Sequence, residues 1–194
     1  MNLWIPVGIL AALLLWAILN YNALVRIRQQ VRESWSGIDT ELKRRYDLVP
    51  NLVETVRGYA THERELFTRV TEARSQASAA TGSPASQAAA EKPLVAGMKQ
   101  LLAVAEGYPE LKASENYLAL QVELANTEDR IQAARRFFNA NVRDLNTRIE
   151  VFPSNLIAGA FRFEKAEFFE VETATVRQVV DVSFDDSPAD TENG

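Results

Sequence analysis

The chain has 194 residues, with 21 Lys plus Arg against 26 Asp plus Glu, one histidine and no cysteine, and a formal net charge of −5. Lacking cysteine, it is no disulfide scaffold and can build neither a thiolate metal site nor a cysteine nucleophile. Net charge is +2 over residues 26–74, −1 over 75–150 and −6 over 151–194, so the main body offers no dedicated nucleic-acid surface.

The first charged side chain is Arg26, and residues 3–19 are an unbroken run of apolar residues, Gly and one Pro. At about 1.5 Å per helical residue this run spans about 26 Å, or about 35 Å out to Val25, against about 30 Å of hydrocarbon in a bilayer. Trp4 near one end, and Trp16 and Tyr21 near the other, are spaced as interfacial belt residues. Pro6 falls in the first turn, where its missing N–H costs little. No basic residue precedes the run, and Leu19-Asn20-Tyr21-Asn22-Ala23 offers no small-x-small cleavage site. Residues 1–25 therefore read as a retained transmembrane anchor, not a cleaved signal peptide. Arg26, Arg28 and Arg32 precede Glu33, the first acidic residue. The positive-inside rule then predicts a cytoplasmic C-terminal domain and an external N-terminus. The same three arginines are placed for membrane lipid headgroups, at about 1 kcal/mol each.

From Ile27 the apolar positions recur at Val31, Trp35, Ile38, Leu42, Tyr46 and Val49, an 11-residue period that suits a nearly straight helix. Pro50 predicts a kink or short break at residues 47–50. Leu52, Val56, Tyr59, Leu66, Val70, Ala73 and Ala77 resume a helical face. Residues 75–93, rich in Ala, Ser, Gly and Pro, read as a loose linker. Pro93 then suits the first turn of a shorter helix that buries Leu94, Met98, Leu101, Leu102 and Ala105, and Pro109 ends it.

Ser114 is a good N-cap for a long helix. There Tyr117, Leu124, Ile131, Phe138, Leu145 and Phe152 recur every seven residues, in the manner of a coiled coil. The companion positions four residues on are Gln121, Glu128, Arg135, Val142 and Ile149, of which three are polar. Phe152-Pro153 stops the helix, and Phe161, Phe163, Phe168 and Phe169 are expected to fold back onto the bundle end. Residues 176–184 read as a short strand or extended arm, and the acidic stretch from Asp185 as disordered. The predicted fold class is all-α: an N-terminal transmembrane helix, an antiparallel bundle of long helices over 26–165, and an irregular acidic C-terminal arm over 166–194.

Several long motifs resemble the LemA family. They are Trp35-Ser36-Gly37-Ile38-Asp39, Leu42-Lys43-Arg44-Arg45-Tyr46-Asp47-Leu48-Val49-Pro50-Asn51-Leu52, Gly58-Tyr59-Ala60-Thr61-His62-Glu63, Ala105-Glu106-Gly107-Tyr108-Pro109-Glu110-Leu111, Ala134-Arg135-Arg136-Phe137-Phe138-Asn139 and Phe152-Pro153-Ser154-Asn155. The resemblance covers about residues 20–165 and implies a membrane-anchored antiparallel helix bundle of mainly bacterial occurrence. It implies no agreed catalytic activity. Family genes often neighbour those of a membrane metalloprotease, which implies a link to envelope quality control.

Signatures of chemistry are scarce. His62 is the single histidine, whereas a di-iron bundle site needs two Glu-x-x-His motifs, so no metal and no cofactor is expected. Ser and Thr lack a G-x-S-x-G setting, and no phosphate-cradling glycine loop occurs. No catalytic residue is assigned, and the chain reads as a non-enzyme.

A polar seam remains: Gln121, Glu128 and Arg135 on the long helix, with Asp39, Arg45, Asp47 and Asn51 at the same height if the first helix runs antiparallel. It reads either as a partly buried ion-pair network that sets helix register, or as a site for a partner or a second copy. If Glu128 is buried, its truncation should cost about 3 kcal/mol or more. Asp39–Lys43 and Glu41–Arg45 have the spacing for surface pairs. The expected role is a self-associating membrane scaffold or adaptor, with regulation of a membrane metalloprotease as the alternative.

Overall fold

The structure is a computed structural model that describes residues 4–170. Six helices follow one another among these residues: α1 (Trp4–Arg57), α2 (Arg64–Ala79), α3 (Pro84–Glu106), α4 (Pro109–Lys112), α5 (Glu115–Glu150) and α6 (Ser154–Ala160). No strand occurs among the described residues, and the fold is all-α. The expected strand or arm at 176–184 and the tail from Asp185 lie outside them.

At 54 residues α1 is about 80 Å long. Its first part is apolar and long enough to cross a membrane, and side chains such as Ile5, Leu10 and Leu14 are exposed. From Leu24 onward the helix carries a buried stripe of Ile27, Val31, Ser34, Ile38, Leu42, Tyr46, Val49, Val53 and Val56, with spacings of three and four. The stripe faces α5, whose buried residues Tyr117, Leu124, Ile131, Phe138 and Leu145 keep the seven-residue repeat. The two helices are antiparallel: Trp35 packs against Phe138 with the rings tilted and 5.4 Å between centroids, whereas Arg45, farther along α1, meets Glu128, earlier on α5. The repeat fails at Phe152, which lies past the end of α5 and is 72% exposed.

Two proline expectations are corrected. First, α1 runs through Pro50 without a break. A proline has no N–H to give the carbonyl four residues back, here that of Tyr46. Arg74 of α2 supplies the missing donor, its Nε lying 2.5 Å from the Tyr46 carbonyl. Second, the loose linker over 75–93 contracts to residues 80–83, because α2 reaches Ala79 and α3 begins at Pro84. Ser83 caps α3 by accepting from the Ser86 N–H, and Pro84 occupies the first turn. Pro93 is thus interior to α3, not at its start, and the carbonyl it leaves unserved belongs to the solvent-exposed Ala89, where water can bond it.

α2 and α3 form a tight hairpin. A Cβ on Gly97 would meet Val70 Cγ2 at 2.9 Å, so this close approach requires the missing side chain.

Beyond α6 the chain runs back along α5. Asn146 accepts the Ala166 N–H at 2.9 Å and donates to its carbonyl at 3.0 Å. Asn139 treats Phe169 the same way, at 3.0 and 3.2 Å. Seven helical residues rise about 10.5 Å, which three residues span only when nearly fully extended, so residues 166–169 lie as a strap along the helix. Phe168 and Phe169 therefore lie along the bundle, whereas Phe161 and Phe163 fold back onto its membrane-proximal end as expected, against Tyr21. Phe169 is buried beside Trp35, at 5.6 Å, under the Arg135 guanidinium at 5.5 Å. Phe163 packs with Leu24 and Ala158, and Phe161 remains exposed.

Candidate functional site

The most heavily bonded polar group in the bundle is an arginine node. Arg45 and Tyr46 are neighbours on α1, and Gln87 and Glu91 stand one turn apart on α3, all four side chains buried. Arg45 is 3% exposed and Glu91 1%. Arg45 Nη2 donates to Glu91 Oε2, and its Nη1 donates to Glu128 Oε2 of α5 at 2.9 Å. The other Glu91 oxygen accepts the Tyr46 hydroxyl, with Gln87 Nε2 at 3.1 Å. Gln87 Nε2 also lies 3.0 Å from the carbonyl of Ala77, in the last turn of α2. One cluster thus joins α1, α2, α3 and α5.

A carboxylate or guanidinium taken from water costs several kcal/mol unless its bonding capacity is filled. Both Glu91 oxygens are occupied by protein donors, and Arg45 carries a carboxylate on each terminal nitrogen, although its buried Nε–H has no protein acceptor. The environment favours neutral Tyr46: burial, then the bond and charge of Glu91, hold its hydroxyl well above the ordinary phenol range, although Arg45 pulls the other way. Outside the node, Glu128 Oε1 accepts from Gln132 Nε2 at 3.0 Å, and Arg135 Nη1 donates to Gln132 Oε1 at 3.1 Å. Burial lowers the Arg135 pKa, and Glu128 partly offsets that shift.

Of the seam residues, Arg45 and Glu128 meet directly, and Arg135 joins only through Gln132. Gln121 is exposed on α5, as are Asp47 and Asn51 on α1. Asp39 is turned to a surface pair with Lys43 at 2.6 Å. Glu41 lies 3.9 Å from Arg44, since Arg45 turns inward. Glu128 itself is only partly buried, its side chain 42% exposed, because it sits at the node's rim. The deeply buried partner is Glu91, and neither it, Gln87 nor Tyr46 was among the seam residues. Their signal was the Gln87–Glu91 spacing of four in an alanine-rich, helix-compatible stretch read as linker. Of the membrane-proximal arginines, Arg26 and Arg32 are exposed, and Arg28 stacks over the Phe163 ring at 4.9 Å.

The fold and this node define a class: a helical bundle locked by a buried ion cluster and led by a helix apolar enough to cross a membrane. The LemA family model matches residues 34–184, and the chain belongs to the LemA family. It is 25% identical to Magnetosome protein MamQ of Magnetospirillum gryphiswaldense, over 85% of this chain and 70% of that protein. It is likewise 25% identical to Magnetosome protein MamQ 2 of Paramagnetospirillum magneticum, over 81% and 67%. To Protein LemA of Metamycoplasma hominis it is 27% identical, over 80% of this chain and 75% of that protein.

Proposed function

We propose that this LemA-family chain is a non-enzymatic, single-pass membrane protein that self-associates as a scaffold or adaptor. The observation that carries the reading is the continuity of α1 from its apolar N-terminal part into the core of the bundle. Because α1 runs unbroken from the apolar run through Leu24 into the buried stripe that starts at Ile27, no flexible joint separates span from bundle, and the domain is held upright on the bilayer. Arg26, Arg28 and Arg32 favour a cytoplasmic domain at the bacterial inner membrane. The node supports a structural role, since its carboxylate and guanidinium spend their bonds on each other and on neighbouring helices. Leu118, Val122 and Phe137 remain exposed on α5 and offer apolar contact area to a second copy or another envelope protein.

The test is the absolute mass of the protein in mild detergent, beside a chain that begins at Asn22. A defined assembly that requires residues 1–21 supports a scaffold built through its anchors. Monomers in both cases would overturn self-association and direct crosslinking toward a protease partner.

A further inference from the structure

We infer that residues 151–161, comprising α6 and its flanks, form a second membrane contact that lies in the interfacial layer beside the span; this rests on the reading of α1 as a transmembrane helix. The stretch contains no charged residue. Val151, Phe152, Leu156 and Phe161 are all more than half exposed, the densest group of exposed apolar side chains outside α1 among the described residues. Its other side is seated on α1 at one height: Ala158 and Phe163 pack against Leu24, and Ile157 adjoins the same cluster.

That height decides what covers the exposed side. The Phe161 ring centroid lies 4.6 Å from that of Tyr21, and the Phe163 ring 6.0 Å from it. Tyr21 is two residues past the apolar run, a rise of about 3 Å, and Leu24 follows about 7–8 Å past it. The headgroup layer is about 5–7 Å thick on each side of the hydrocarbon. A segment packed on Tyr21 and Leu24 is therefore carried into or against that layer whenever α1 spans. The contact is continuous with the span, and the occupant of the exposed face is the lipid of the same bilayer.

The charges around the patch fit this placement. Arg26, Arg148 and Arg162 are exposed at its edges and can reach headgroup phosphates while their stems lie along apolar surface. Of the acids that flank the segment, Glu150 is paired with Lys165 and Glu164 is exposed, so the three arginines still outnumber them. An apolar face with a basic rim is the composition of interfacial helices, which bury that face about 5–10 Å into the headgroup boundary.

The test uses the full chain in vesicles of zwitterionic and anionic phospholipid. Because the protein has no cysteine, a nitroxide can be placed at one introduced thiol at a time: Phe152→Cys, Leu156→Cys, Leu10→Cys and Thr61→Cys. Collisions with oxygen report lipid, and collisions with a water-soluble nickel chelate report solvent. Labels at 152 and 156 should show high oxygen and low nickel accessibility at shallow depth, with Leu10 deep and Thr61 aqueous. Aqueous labels at 152 and 156 beside a deep Leu10 would overturn the contact and leave the span standing. Low accessibility to both probes would also overturn it, since protein would then cover the face. An aqueous Leu10 would remove the span and the contact with it.

Discussion

Arg74 donates through Nε to the backbone carbonyl of Tyr46, at 2.5 Å, and so takes the place of the N–H that Pro50 cannot supply. The bond joins α2 to the middle of α1. Losing it would leave a carbonyl inside the bundle with no donor, at about 1–3 kcal/mol. Arg74→Met should destabilise the domain by that amount in urea unfolding. In the Pro50→Ala background the helix provides its own donor, and the same substitution should cost much less. Equal costs in both backgrounds would show that Arg74 acts elsewhere.

The carboxylates of the node are unequal. Glu91→Ala leaves the buried Arg45 with the rim carboxylate Glu128 as its one ion-pair partner and should cost about 3 kcal/mol. Glu128 is partly solvated, and Glu128→Ala should cost about 1 kcal/mol, the range of exposed pairs, not the larger value its place in the seam suggested. Replacing the buried pair together, as Arg45→Met with Glu91→Leu, should recover most of the Glu91→Ala loss, because no buried charge is then left unpaired and Glu128, at the rim, keeps solvent and the Gln132 amide. A double-mutant cycle by thermal or urea unfolding measures all three.

Tyr46 gives the domain an alkaline limit. Its folded pKa is raised above the ordinary value of 10.0, so between the two values the folded state binds more protons than the unfolded state. The stability this confers is complete below about pH 10 and is lost as pH climbs through the raised value. Urea unfolding from pH 8 to 11.5 should therefore show a decline that is shallower in Tyr46→Phe. That variant should also be less stable at neutral pH by about 1.5–3 kcal/mol, the worth of a hydrogen bond to a charged acceptor.

The asparagine clamps set the order of the strap. Asn139→Ala and Asn146→Ala each remove both bonds to one strap residue. Amide exchange at Phe169 should rise in the first variant and at Ala166 in the second, while amides of α1 near Ile38 keep their protection. A uniform rise across the bundle would mean that the strap opens only with global unfolding.

Much of this architecture was written in the chain as periodicity. The apolar run, the stripe of 11-residue period from Ile27 to Val49 and the seven-residue repeat from Tyr117 to Leu145 determined α1, α5 and the faces they share, because a helix buries whichever stripe its own sequence makes apolar. What the sequence could not determine was the identity of long-range partners. Pro50 and Pro93 obey a local rule that predicts helix ends, and both sit inside helices because Arg74, 28 residues on from Tyr46, serves one orphaned carbonyl and solvent can serve the other. Arg45 was legible as a seam residue, yet its choice of Glu91, 46 residues on, over nearer acids such as Glu41 depends on how α3 docks. Periodicity is a property of one element. Desolvated charges and unserved carbonyls are instead satisfied by whatever the packed bundle brings within reach, and that only the tertiary structure decides.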